Sequence, residues 1–471
     1  MAEWCAENLR DCQAWKAEGI QISTSSNEAA RLFDALLRQY VSWSECAQLG
    51  GLDNTRSKMV EAEPNAIMSR VISLGLEAMG TGRSVRLDEK YENELKQLLN
   101  DACQYGTTYE KNHARAVNIK MLAACMEWEK ILNETPNDLL ALKFAHDGYF
   151  YLGDKRAIRD SVARVLPKWK PTTPCYSYLY GMYAFGLEEC EQYHEAESYA
   201  KKGLELNTYD AWATHALAHC MEMNGRFQEG IHFMESSEMN WNKCSLLACH
   251  NYWHVALYYI ELGKYDEALT YYDREIEGRV KNVATMLDIV DASSILLRFE
   301  MERLSVGNRW KALLPLVKPH MHDHLLAFND AHIRMVIEGC SDSTARRNHC
   351  DSVATFIASS SSGGGGGDNA DRTRTLGKPI CDAITSYYSG DYHEVVQALA
   401  PIRHNLYCMG GSNAQRDVFT QLLIHSALLS TEADDHKLGK MILKERNVLK
   451  KNSSLGQRLL NNYNCLKGNL Q

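Results

Sequence analysis

Proline is scarce in this chain, 9 residues in 471, which argues against extended disorder. No stretch approaches the eighteen or so apolar residues of a membrane-spanning helix, so no membrane insertion is expected. The opening Met1–Cys12 carries no apolar signal core, and the expected location is cytoplasmic. Basic residues are outnumbered, 51 Lys and Arg against 60 Asp and Glu, and none forms a run longer than a pair. Phosphate binding depends on clustered positive charge, so no nucleic-acid partner is expected. The 15 cysteines are odd in number and include no C-x-x-C pair, which disfavours a zinc ribbon, a redox dithiol and a disulfide framework alike. They read as small buried hydrophobes in reducing surroundings. Sustained period-two alternation is also missing, which excludes substantial sheet.

What the chain has is repetition. At 471 residues it is too long for one ordinary core, and it must be several domains or a solenoid whose units pack on their neighbours. Helix-turn-helix punctuation recurs at Leu152-Gly-Asp154, Gln192-Tyr-His-Glu-Ala196, Gly225-Arg-Phe-Gln-Glu-Gly230 and Gly263-Lys-Tyr-Asp-Glu-Ala268. The intervals lie near 34 residues, the period of a two-helix repeat. The fold expected is therefore all-α: a tetratricopeptide-like helical-repeat solenoid of antiparallel helix pairs in a right-handed superhelix. Atypical helical pairs are expected over 1–104, the central repeats over 105–280, and further pairs over 281–358. A Ser/Gly-rich flexible loop follows over 359–370, and C-terminal repeats complete the chain over 371–471.

Several strings are more specific than a repeat consensus. They are Leu142-Lys-Phe-Ala-His-Asp-Gly-Tyr-Phe-Tyr-Leu-Gly153, Ala248-Cys-His-Asn-Tyr-Trp-His254, Met286-Leu-Asp-Ile-Val-Asp291, Phe328-Asn-Asp-Ala-His332 and Gly410-Gly-Ser-Asn-Ala-Gln-Arg-Asp-Val-Phe419. In these strings the chain, from about Asp11 to Arg458, closely resembles a member of the tetratricopeptide-repeat family. The glycine run after Ser359 departs from the resemblance within a loop. The resemblance implies a helical-repeat protein and brings no catalytic residue or substrate with it.

The first helix of each pair lines the concave groove that solenoids use for binding. Counting back from the terminal glycines puts His215, His219, Glu222, His250 and Trp253 on that side, with Asp147 and His113 in earlier units. His215 and His219 lie one helical turn apart, as do His250 and His254, so four imidazoles offer nitrogen ligands for a divalent metal such as zinc or iron. H-x-x-x-H also arises by chance, and Ala216 stands where a zinc protease would carry its glutamate. The bland alternative is a polar groove or packing role. Asp288 and Asp291 are three apart on a helix, and Asp330 recurs in the next first helix; such paired carboxylates serve acid and base chemistry or, more ordinarily, face solvent. Arg416 follows Gly410-Gly411 at a helix start, which reads either as a capped N-terminus or as an anion site.

The function expected first is an interaction scaffold that holds a peptide or protein segment in its groove, without catalysis and without a cofactor. The alternative is a metal-dependent enzyme or small-molecule binder using the groove histidines and aspartates. Chaperone C-terminal tails are not expected as partners, because Lys143 is the lone groove cation available to grip a terminal carboxylate.

Overall fold

The structure, a computed structural model, describes residues 2–245, 247–361 and 367–468. Regular structure among these residues is helical, and the one extended pairing is an isolated bridge between Ser44 and Cys244. The chain is thus a helical-repeat protein, as its punctuation predicts. Gly153, Gly225 and Gly263 end their helices in the left-handed region, at φ 70°, 69° and 73°. A glycine adopts this conformation at little cost. Other turns do the same with ordinary residues: Glu191, Arg303 and Ser341 sit at φ 64°, 64° and 52°. The Ser/Gly-rich run is helical at both edges, because one helix extends through Ser361 and the next begins at Gly367. The rest of that expected loop, 362–366, lies outside the described residues.

Two compact units result, 1–217 with 237–248, and 218–236 with 249–471. The division falls inside the central repeats and not at either of their expected ends. In the first unit, α1 (Asn27–Ser42), α2 (Ile67–Met79), α3 (Leu139–Leu152) and α4 (Tyr178–Glu189) are the inner helices, and α5 (Ala211–Met223) begins there. Ser26 and Asp138 cap α1 and α3 by accepting from the Ala29 and Ala141 amides at 3.1 and 3.0 Å. Leu142, Phe144 and Phe185 are at most 1% exposed, and burial of each stabilises the unit by about 1.5–3 kcal/mol. Among these apolar side chains α1 encloses a charge: Lys143 is 0% exposed, its Nζ 4.6 Å from the Tyr40 and Trp43 ring centroids and 5.0 Å from that of Trp212.

In the second unit the inner helices are α6 (Leu247–Glu261), α7 (Met286–Met301) and α8 (Ala327–Gly339), α6 joining the unit from Cys249 on. The same unit contains α9 (Asn413–Leu429), α10 (Ala433–Leu449) and α11 (Ser454–Gly468), which follow later in the chain. α9 packs on α7, and the turn from α10 to α11 reaches α6, where Arg458 donates to the Ile260 and Glu261 carbonyls at 2.9 and 2.8 Å. The inner face of α6 is consequently covered by the end of its own chain. Gly225 is part of that closure, since a Cβ there would collide with the Lys451 carbonyl.

Candidate metal centre

Every residue expected to line an open groove is buried. His219, Trp253, His254 and Asp291 are 0% exposed, and Asp147, the most accessible apart from Arg416, reaches 8%. Asp288 and Asp330, at 1%, do not face solvent either. The physical reason is that the enclosing helices bring charged partners of their own. Lys450, at the C-cap of α10, donates from Nζ to Glu222 at 2.8 Å. Arg446 forks onto Asp417 at 2.9 and 2.8 Å and reaches Glu261 at 2.9 Å.

His219, His250 and His254 come together within the second unit, while His215 belongs to the first, against the rings of Phe185 and Trp212. The ring centroids of His219 and His254 are 4.3 Å apart, and those of His250 and His254 4.9 Å. One nitrogen of each lies within 4.8 Å of the others. Nitrogens on a tetrahedral zinc ion stand about 3.3 Å apart, given Zn–N bonds of about 2.0–2.1 Å, so small ring rotations would close the set. One nitrogen of each of two rings is committed to a carboxylate: His254 Nδ1 meets Glu222 Oε2 at 3.0 Å, and His250 Nδ1 meets Asp291 Oδ2 at 2.6 Å. A carboxylate only accepts, so each Nδ1 carries a proton, and in the neutral ring the lone pair is on Nε2. Imidazoles that bind metals are oriented by carboxylates in this way. Both carboxylates are fixed in turn, Asp291 by Gln415 Nε2 at 2.9 Å and Glu222 by Lys450. Burial first, then the neighbouring imidazoles and Lys450, hold His219 and His254 neutral, with pKa values well below the ordinary 6.5. Neutral imidazole is the form a metal takes. Trp253 stacks on His250 at 4.9 Å and donates from Nε1 to Ser294 Oγ at 2.9 Å.

A second group, His324, Asp330 and His349, has different chemistry. His324 spends Nδ1 on Asp330 at 3.0 Å and Nε2 on Ser352 at 2.7 Å. His349 Nδ1 accepts from Arg334 at 3.0 Å, which leaves its proton on Nε2, 3.5 Å from Asp330. No imidazole lone pair is left for an ion, and Asp330 Oδ1 is the hub of a structural network. The anion-site reading at Arg416 is corrected as well. Its guanidinium donates to the Gly410 and Gly411 carbonyls and, at 2.7 Å, to Asn413, while Ser412 and Gln415 close a capping box.

Buried histidines make the second unit sensitive to acid. Burial lowers His332 and His425 from 6.5 to about 4. Their stabilisation is complete above pH 6.5 and lost as pH falls to 4, about 3 kcal/mol for each. Burial raises Asp288 to about 6, which works the opposite way and returns about 3 kcal/mol over pH 6 to 4. The difference between wild-type and His332→Phe protein isolates one group: between pH 7 and 4 the metal-free variant should lose about 3 kcal/mol less stability than the wild type. Equal shifts of the urea midpoint in the two proteins across this range would contradict the assignment.

No family model matches the chain. Solved structures that it matches include a human IFIT1 dimer with m7Gppp-AAAA, at 12% identity over 99% of this chain and 100% of that one, with a TM-score of 0.34. A monomeric mutant of IFIT1 with Gppp-AAAA matches at the same 12% identity and TM-score of 0.34, over 99% of each chain. Both hold a nucleic-acid ligand, so the exclusion of nucleic acid drawn from net charge is corrected and does not stand.

Proposed function

We propose that the chain is a helical-repeat scaffold whose second unit binds a divalent transition metal through His219, His250 and His254, as part of a small-molecule site. The observation that carries this reading is the pair of carboxylates on Nδ1 of His250 and His254, in a cluster where one nitrogen of each of the three rings lies within 4.8 Å of the others. Asp291 and Glu222 would also offset the charge of the ion. Imidazole ligands suit zinc, iron, copper and nickel. A peptide-binding groove has less support, since an extended segment needs an open inner face and these faces are covered within each unit. The specific strings of the chain add a resemblance to tetratricopeptide repeat protein 38, which assigns no ligand.

The test is elemental analysis of protein purified without chelators. About one transition-metal equivalent per chain is expected in the wild type, and a background amount in the His250→Ala, His254→Ala double variant. Equal metal content in the two proteins, or none in the wild type after dialysis against zinc, would overturn the reading.

A further inference from the structure

Beyond the histidine cluster, the second unit buries a guanidinium that has no counter-ion. Arg298, on α7, is 2% exposed. Its Nη1 and Nη2 donate to two backbone carbonyls, Ser294 O at 3.2 Å and Ala414 O at 3.0 Å, and its Nε–H has no acceptor. No carboxylate among the described residues pairs with it. The three whose fields reach it are engaged elsewhere: Asp417 by Arg446, Glu222 by Lys450 and His254, Asp291 by His250 and Gln415. Leaving a charge unpaired in the interior is costly, and buried arginines ordinarily carry a carboxylate or phosphate. Trp253 lies against the guanidinium, 5.4 Å from ring centroid to Cζ.

His332 supplies the complement. Its ring is 0% exposed, and its Nδ1 lies 2.8 Å from the Phe328 carbonyl, which only accepts. The proton is therefore on Nδ1, and Nε2 is a buried lone pair with no donor. The fields of Arg298 and Asp291 both reach this ring, and Phe328 and Phe419 flank it at 4.5 and 5.6 Å between centroids. One region thus offers an unused N–H on a cation, an unused acceptor and aromatic walls.

We propose that Arg298 and His332 recognise a small carboxylate that also carries a hydroxyl group. The carboxylate pairs with the Arg298 Nε–H, and the hydroxyl donates to His332 Nε2. Aromatic substituents pack against Trp253, Phe328 and Phe419. This site goes beyond the metal reading and does not depend on it. Its recognition is charge-assisted at one end and neutral at the other, so losing the arginine should cost more than losing the histidine.

The probes are 3-phenyllactate, 3-phenylpropionate, which lacks the hydroxyl, and inorganic phosphate, titrated calorimetrically with metal content measured on the same samples. Wild-type protein should bind phenyllactate about tenfold more tightly than phenylpropionate, a preference that His332→Phe removes. Arg298→Met should abolish both while keeping the wild-type metal content and helical circular dichroism, because it removes a buried charge that has no carboxylate partner. Arg298→Lys, which keeps the charge but loses the planar fork, should bind both at least about tenfold more weakly. Absence of phenyllactate binding to the wild type would overturn the proposal, as would equal binding by Arg298→Met or a preference for phosphate. If Arg298→Met unfolds, the proposal still falls when Arg298→Lys binds like the wild type. A loss of metal without loss of Arg298-dependent binding would sink only the metal reading.

Discussion

Glu261→Ala is expected to destabilise the second unit by about 3–5 kcal/mol, the cost of leaving buried charges without their partner. Glu261 is 3% exposed and accepts from Arg446 Nη2 at 2.9 Å, Ser453 Oγ at 2.8 Å and the Leu455 amide at 3.3 Å, with Lys450 Nζ 3.2 Å away. Burial alone would raise its pKa, yet Lys450 and Arg446 outweigh that and hold it below the ordinary carboxylate value. Truncation therefore leaves two buried cations undercompensated and releases the turn between α10 and α11. Cleavage by trypsin after Lys450 and Lys451 should accelerate in step with the fall in stability. Glu261→Gln, which keeps hydrogen-bonding atoms but no charge, should lose less. A change under about 1 kcal/mol for the alanine variant would mean that the closure of this unit does not depend on the ion network.

Lys143→Ala should be comparably damaging in the first unit, at about 3–5 kcal/mol or roughly 10 °C in melting temperature. Its ammonium bonds both Asp147 oxygens at 2.5 Å, and Tyr40 also donates to Asp147 at 2.5 Å. Burial depresses the Lys143 pKa against the pull of Asp147, while at Asp147 burial is outweighed by Lys143 and His146, which hold that carboxylate below its ordinary value. Removing the lysine strands the carboxylate among Tyr40, Trp43 and Trp212 rings. Replacing both partners with apolar residues, Lys143→Met with Asp147→Leu, should recover most of the loss, since well-packed hydrophobes replace buried ion pairs without penalty. Equal denaturation midpoints for the single and double variants would contradict this account.

The fold was readable where residue type and geometry coincide. Gly153, Gly225 and Gly263 mark turns because glycine takes a positive φ most easily. The pattern fades at Glu191, Arg303 and Ser341 because ordinary residues hold the same geometry there, at a cost of about 1–2 kcal/mol each that packing absorbs. Helical spacing brought His250 and His254 to one face and nominated Glu222 and Asp291, yet the pairing of imidazole with carboxylate was not visible. Neither were the residues that enclose the site. Glu222 and Lys450 are separated by 228 positions, Glu261 and Arg446 by 185, Asp291 and Gln415 by 124, and no periodicity links such distant segments. Burial was misjudged for the same reason: a concave helix face reads as exposed unless the segment that covers it is known. Arg298 gave no signal, because a charged residue inside a helix is ordinarily solvated.

X-ray absorption at the zinc edge, measured on the zinc-loaded chain, tests the histidine cluster most directly. Three imidazole nitrogens at about 2.0–2.1 Å, reduced in number in the His254→Ala variant, are the expected coordination shell. A shell containing sulfur at about 2.3 Å, from Cys220 or Cys249 beside the histidines, or a spectrum unchanged by His254→Ala, would contradict the assignment of His219, His250 and His254 as a metal centre.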